Sequence, residues 1–158
     1  YDSLTGLNNR KNAVSLMEKE FNRKAGGYFF ICDIDNFKSV NDTKGHLFGD
    51  NVLIKLADIM RKQAGDKSIL ARLGGDEYIL FFYADINKKD VMNIMQGIQK
   101  EFLSYMREII PELNVSLSIG GTERTANEDT KTLYDRADKA LYQAKNQKGE
   151  LRLYEQTI

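Results

Sequence analysis

Ile69-Leu70-Ala71-Arg72-Leu73-Gly74-Gly75-Asp76-Glu77-Tyr78-Ile79-Leu80-Phe81-Phe82-Tyr83 is a pair of apolar runs broken by two glycines and two acids. Each run is short, branched or aromatic, so Ile69–Leu73 and Tyr78–Tyr83 read as buried strands. The adjacent glycines let the backbone reverse tightly, which joins the two strands as a hairpin. Upstream, Tyr28-Phe29-Phe30-Ile31-Cys32 has the character of a third strand buried on both sides, and Asp33 and Asp35 follow it at once. Acids therefore sit at the ends of two predicted strands.

Outward from these strands the pattern turns helical. Turn residues Asp2–Asn9 lead into a helix near Arg10–Lys24, with Asn as a ready cap and Val14, Met17 and Phe21 on one face. A helix near Phe48–Lys62 buries Val52, Leu53, Leu56 and Met60; another near Lys89–Met106 buries Val91, Met95, Ile98 and Phe102. Val115, Leu117 and Ile119 alternate with serines as a strand, a last helix spans about Thr130–Asn146, and Leu151–Tyr154 closes as an edge strand. The order is β-αα-β-β-α-β-α-β with a helix in front. Two split βαβ units around a hairpin predict an α+β fold, a ferredoxin-like antiparallel sheet with helices on one face.

Composition narrows the function. The chain has 158 residues, enough for one domain, and no repeat or linker divides it. Its 23 basic and 23 acidic residues cancel, so no net field draws it to nucleic acid or to an anionic membrane. A polyanionic ligand must then be met by local cations or a metal. No apolar stretch is long enough to span a bilayer, and the single Cys32 reads as core filler in a reduced, cytoplasmic setting. Tyr1-Asp2-Ser3 resembles neither a signal peptide nor an initiator region, so the expectation is a domain cut from a longer protein with an N-terminal sensory or regulatory part.

In a βαββαβ sheet the first strand and the hairpin are central neighbours, so Asp33, Asp35, Asp76 and Glu77 can meet. Oxygen ligands of this kind suit Mg²⁺ or Mn²⁺ bound together with nucleotide phosphates. Taken alone, acids at strand ends are also what solvated turns carry.

The segments Asp2–Arg10, Asp33–Asp42, Gly45–Asp50, Arg72–Tyr78, Ser116–Gly120 and Ala137–Lys145 resemble, in order and spacing, the successive motifs of the GGDEF family. That resemblance implies a fold similar to nucleotidyl cyclases and polymerase palms. It implies a diguanylate cyclase that condenses two GTP into cyclic di-GMP and two pyrophosphates across a head-to-tail homodimer. It further implies metal ligands at Asp33, Asp76, Glu77 and the Ile34 carbonyl, for two Mg²⁺ or Mn²⁺ per site. Glu77 would also help activate the 3′-hydroxyl, phosphates would lie on Asn36 and Phe37 beside Gly74 and Gly75, and Lys38, Lys145 and Lys148 would supply positive charge. Asn41 and Asp50 would read guanine, whose N1–H and N2–H₂ donors adenine lacks. A buried acceptor left unpaired by the wrong base discriminates on the order of 10⁴-fold. His46, Arg10 and Arg72 read as structural, His46 through hydrogen bonding in its turn.

Three positions depart from the family pattern. Tyr78 stands where Phe is usual, with its hydroxyl expected at a wet surface. Lys148-Gly149 replaces the usual Gly-Arg, which removes a phosphate-binding fork and opens the alternative of a weak or inactive GTP-binding regulatory module. Gly65–Ser68 replaces the Arg-x-x-Asp product-inhibition site, so no tight feedback inhibition is expected there.

Overall fold

A computed structural model describes residues 1–155. Its elements are α1 (Arg10–Arg23), β1 (Tyr28–Ile34), α2 (Phe37–Lys44), α3 (His46–Ala64), β2 (Ser68–Gly74), β3 (Glu77–Phe82), α4 (Lys88–Ile109), β4 (Leu117–Glu123), α5 (Thr130–Lys145) and β5 (Leu151–Leu153). A single 3₁₀ turn, Gly65–Lys67, links α3 to β2. Asn9 caps α1 by accepting from the Asn12 N–H at 2.9 Å, as the turn chemistry predicted.

One five-stranded sheet runs in the order β2-β3-β1-β4-β5. All its pairs are antiparallel except β4 with β5, which is parallel, so the closing strand makes the sheet mixed. The sheet is also covered on both faces rather than one. Phe30, Cys32, Leu80 and Phe82 face α3 and α4; Phe29, Ile31, Ile79 and Phe81 face α1 and α5. The crossover helices do share a face, as a ferredoxin-like unit requires. The leading and trailing helices cover the other, and this follows from the doubly apolar run of β1, which leaves no face able to stand in water.

The buried face of α5 is narrow because it uses Ala137, Ala140 and Ala144. A Cβ at Gly120 of β4 would lie 2.1 Å from the backbone N of Leu141, so this helix rests on the sheet almost backbone to backbone. That seating carries the C-terminal end of α5, with Lys145, to the acidic end of β1. No helix among the described residues is long and apolar enough to cross a membrane.

Candidate active site

β1 and β3 place Asp33 opposite Glu77 in register, and the turn between β2 and β3 brings Asp76 beside Asp33. Gly74 and Gly75 have φ of 128° and 52°, a backbone path that favours glycine, and nothing stands within 4 Å of where their Cβ atoms would be. The turn is thus open on the side a ligand would approach. Arg72 steadies it: the guanidinium donates to the Gly75 carbonyl and to Asp2, each at 2.9 Å. This bears out the structural role expected of Arg72.

A cleft of about 290 Å³ is walled by Asp33, Ile34, Asp35, Asn36, Phe37, Lys38, Asp76, Lys145 and Lys148. Sequence reasoning had named all of these, Asp35 only as one of the acids able to meet and not among the site residues that the resemblance implies. Lys145 donates to Asp33, and Lys148 donates to the Asn36 Oδ1 at 2.9 Å. Burial, then hydrogen bonding to Asp33 and the charge of that neighbour, push the Asp76 carboxyl up to about 7. Glu77 is raised as well, by burial and then by Asp33 and Asp138. Burial draws Lys145 down, but its hydrogen bond to Asp33 and the nearby acids outweigh this and leave it raised.

Asn36 adopts a left-handed φ of 61° and begins α2 without a side-chain cap. Its carboxamide bonds Asn114 and Lys148 instead. The first N–H groups of α2, which as in any helix have no intrahelical acceptor, are therefore left without a side-chain cap at the positive end of the helix dipole. Such an end takes phosphate oxygens readily.

The donor set also suits a divalent ion. Two carboxylates crowded enough to raise one of them hold negative charge that a cation relieves. The described residues contain no cluster of three or more His, Cys, Asp or Glu side chains able to hold a metal. A closed protein cage is what Mg²⁺ does not require, because it takes one or two carboxylates and completes its shell with phosphates and water. Asp33, Asp76 and the Ile34 carbonyl fit that role.

Asn41, Asp50, Gly74, Gly75 and Glu77 lie outside the walls of this cleft. Glu77 lines a neighbouring cleft with Arg10, Tyr134 and Asp138, where the Arg10 guanidinium stacks 5.3 Å from the Tyr134 ring centre. Asn41 sits one turn along α2 and packs against Gly49, beside Asp50 on α3. The two residues expected to read the base are thus carried on adjacent helices, Asn41 lying against the residue that precedes Asp50. His46 opens α3 exposed and makes no side-chain hydrogen bond among the described residues, contrary to its expected role.

Sequence reasoning missed the work done by Asp35. Only 6% exposed, its carboxylate accepts from Ser116 Oγ (2.6 Å), Ser118 Oγ (2.8 Å) and the Gly149 N–H (2.9 Å). It clasps β1, β4 and the turn after α5 around the cleft. The signal was present in the serines of Ser116-Leu117-Ser118, polar groups on a strand with a buried partner face. Tyr78 corrects an expectation too. It is wholly buried, and its hydroxyl donates to the Leu53 carbonyl at 2.7 Å, so α3 and not water satisfies it.

Residues 1–150 match the family model described as "Diguanylate cyclase, GGDEF domain". The chain is 33% identical over 155 residues to the diguanylate cyclase DgcS of Shewanella oneidensis, covering 92% of this chain and 49% of that protein. It is 34% identical to DgcN of Escherichia coli, covering 95% of this chain and 38% of that one. The chain thus spans half or less of these relatives. The solved GGDEF domain of DgcB from Caulobacter crescentus, in complex with c-di-GMP, superimposes with a TM-score of 0.84 at 29% identity, covering 98% of this chain and 95% of that domain. Motifs, sheet order, clustered acids and these matches agree: the chain belongs to the GGDEF, diguanylate cyclase domain family.

Proposed function

We propose that this domain joins two GTP molecules into cyclic di-GMP with release of two pyrophosphates. The observation that carries the reading is the meeting of Asp33 and Asp76, from separate strands, beside the open N-terminus of α2 and the ammonium groups of Lys38, Lys145 and Lys148. Asp33, Asp76 and the Ile34 carbonyl would hold divalent metal, Mg²⁺ or Mn²⁺ and two per site, which when bound would neutralise the triphosphate and favour the ionised 3′-hydroxyl. The N–H groups at Asn36–Lys38 orient the phosphates, and Lys145, which donates to Asp33 in the same cleft, supplies positive charge to them. Glu77 lies next to Asp33 and assists in holding metal or in drawing the proton from the hydroxyl. Asn41 and Asp50 select guanine.

One domain presents one such site, so each 3′-hydroxyl attacks the α-phosphate held by a second copy of the chain. A head-to-tail homodimer, at least a transient one, follows. A linked sensory domain in a longer cytoplasmic protein would raise the local concentration of such pairs. No nucleic acid or membrane contact is needed.

Ser68 is buried and donates to the Ala64 carbonyl, while Asp66 and Lys67 line a separate cleft with Asp85 and Asp90. An acidic cleft disfavours a dianionic product, which supports the expectation that tight feedback inhibition is absent there. Sub-micromolar cyclic di-GMP bound at Asp66–Ser68 in a calorimetric titration would refute that.

The deciding experiment incubates the domain with GTP and Mg²⁺ across a protein-concentration series and resolves the nucleotides by chromatography. Cyclic di-GMP forming at a rate per chain that rises with concentration supports the reading. GTP bound without turnover at any concentration favours the regulatory module, which the loss of the late arginine would then explain.

A further inference from the structure

We infer that Gly49 is a positioning residue for base recognition, its missing side chain being the space in which the Asn41 carboxamide is seated. The inference deepens the nucleotide reading above and rests on it. Gly49 is buried in the first turns of α3, directly before Asp50. A Cβ there would lie 1.9 Å from Asn41 Oδ1, 3.0 Å from Asn41 Cγ and 3.3 Å from Phe37 Cζ. The first distance is far inside contact range, so any side chain at this position evicts the carboxamide.

Backbone conformation does not explain the glycine. Gly49 has no left-handed φ, and alanine is the better helix former at an interior helical position. What the glycine permits is the approach of α2 to α3, and the group that fills the gap is the polar end of Asn41 rather than an apolar filler. The same contact places Asn41 against the residue preceding Asp50. Two base-reading groups on different helices are thereby fixed relative to each other by one absent methyl. Phe37, which begins α2 at the phosphate end, is the third neighbour of that gap, so it also registers the base end against the phosphate end.

The test is Gly49→Ala, alone and combined with Asn41→Ala. In the nucleotide-free domain the Asn41 side-chain amide signals, assigned by their loss in Asn41→Ala, move in Gly49→Ala while the melting temperature holds or rises. With Mg²⁺ the KM for GTP rises about tenfold, the scale of one lost hydrogen bond, with kcat changed about twofold or less. In the Asn41→Ala background the glycine substitution adds no further rise, because the evicted group is gone. Unmoved amide signals with a wild-type KM overturn the inference. So does an equal penalty in the Asn41→Ala background, which would assign the effect to helix packing. A wild-type domain that fails to bind GTP overturns the base-reading role together with the proposed function, and an amide shift still seen on going to Gly49→Ala identifies that failure as one of function and not of geometry.

Discussion

The two ends of the candidate nucleotide site are built on opposite physical principles. At the phosphate end, burial and the neighbouring Asp33 carboxylate drive Asp76 to about 7, and Lys145 donates to Asp33. At the base end, Asn41 meets Gly49, the residue before Asp50, through close packing of two helices. The phosphate end stores unfavourable electrostatics that a ligand relieves. The base end stores shape, which a ligand must match. Affinity should therefore respond to charge and pH at one end, and to volume at the other.

The largest expected break is Asp76→Asn. Turnover should fall by about 10³-fold, the scale of losing one preorganised electrostatic stabiliser, measured as cyclic di-GMP formed per chain. The same change should stabilise the chelated protein. A carboxyl raised from 3.8 to about 7 holds its proton more tightly when folded, so its contribution is full below 3.8 and is lost as pH rises through 7. Asp76→Asn removes that loss. Melting in chelator should show the variant above wild type at pH 8 and level with it near pH 3; a variant melting lower at pH 8 would mean that the crowding is not unfavourable.

Asp35→Ala probes what holds the charged end in place. It leaves the Ser116 and Ser118 hydroxyls without their acceptor and the Gly149 N–H with Ser118 Oγ alone, at a cost of about 2 kcal/mol in urea denaturation. The KM for GTP should rise more than kcat falls, since the phosphate-binding turn loosens while Asp33 and Asp76 remain. Equal effects on both parameters would place Asp35 in the chemistry instead.

The smallest effect is expected for Tyr78→Phe, which removes a hydrogen bond linking the strand after the hairpin to α3. Stability should drop by about 1 kcal/mol, with activity nearly unchanged. A large loss of activity would show that the two ends communicate through this strand and helix, and would weaken the contrast between them.

Legibility in the sequence follows the range of the interactions. The strands and helices were readable because apolar periodicity is local, and the hairpin because Gly74-Gly75 sits between two such runs. The candidate site was readable chiefly through its resemblance to a family, since acids at strand ends also occur in plain turns. The Asp35 clasp was only half readable: Ser116 and Ser118 announce polar groups on a buried strand, but the sheet and the turn after α5 bring Asp35 and Gly149 to them. The burial of Tyr78 was hidden for the same reason: Leu53 offers only a backbone carbonyl, which has no residue type to announce it. Coverage of both sheet faces could have been read from the doubly apolar β1, but the βαββαβ pattern alone argued for one.

The short helix α2 begins with Phe37 and Lys38 beside the acids and presents Asn41 about one turn later. An inserted residue would advance everything beyond it by only about 1.5 Å but rotate it by about 100°. Asn41 would then leave the face that meets Gly49, while the acids stayed where they are. Such a protein would keep its proposed metal ligands and lose its proposed recognition of the base. On the proposed reading, the length of α2 is itself an instruction about which nucleotide to accept.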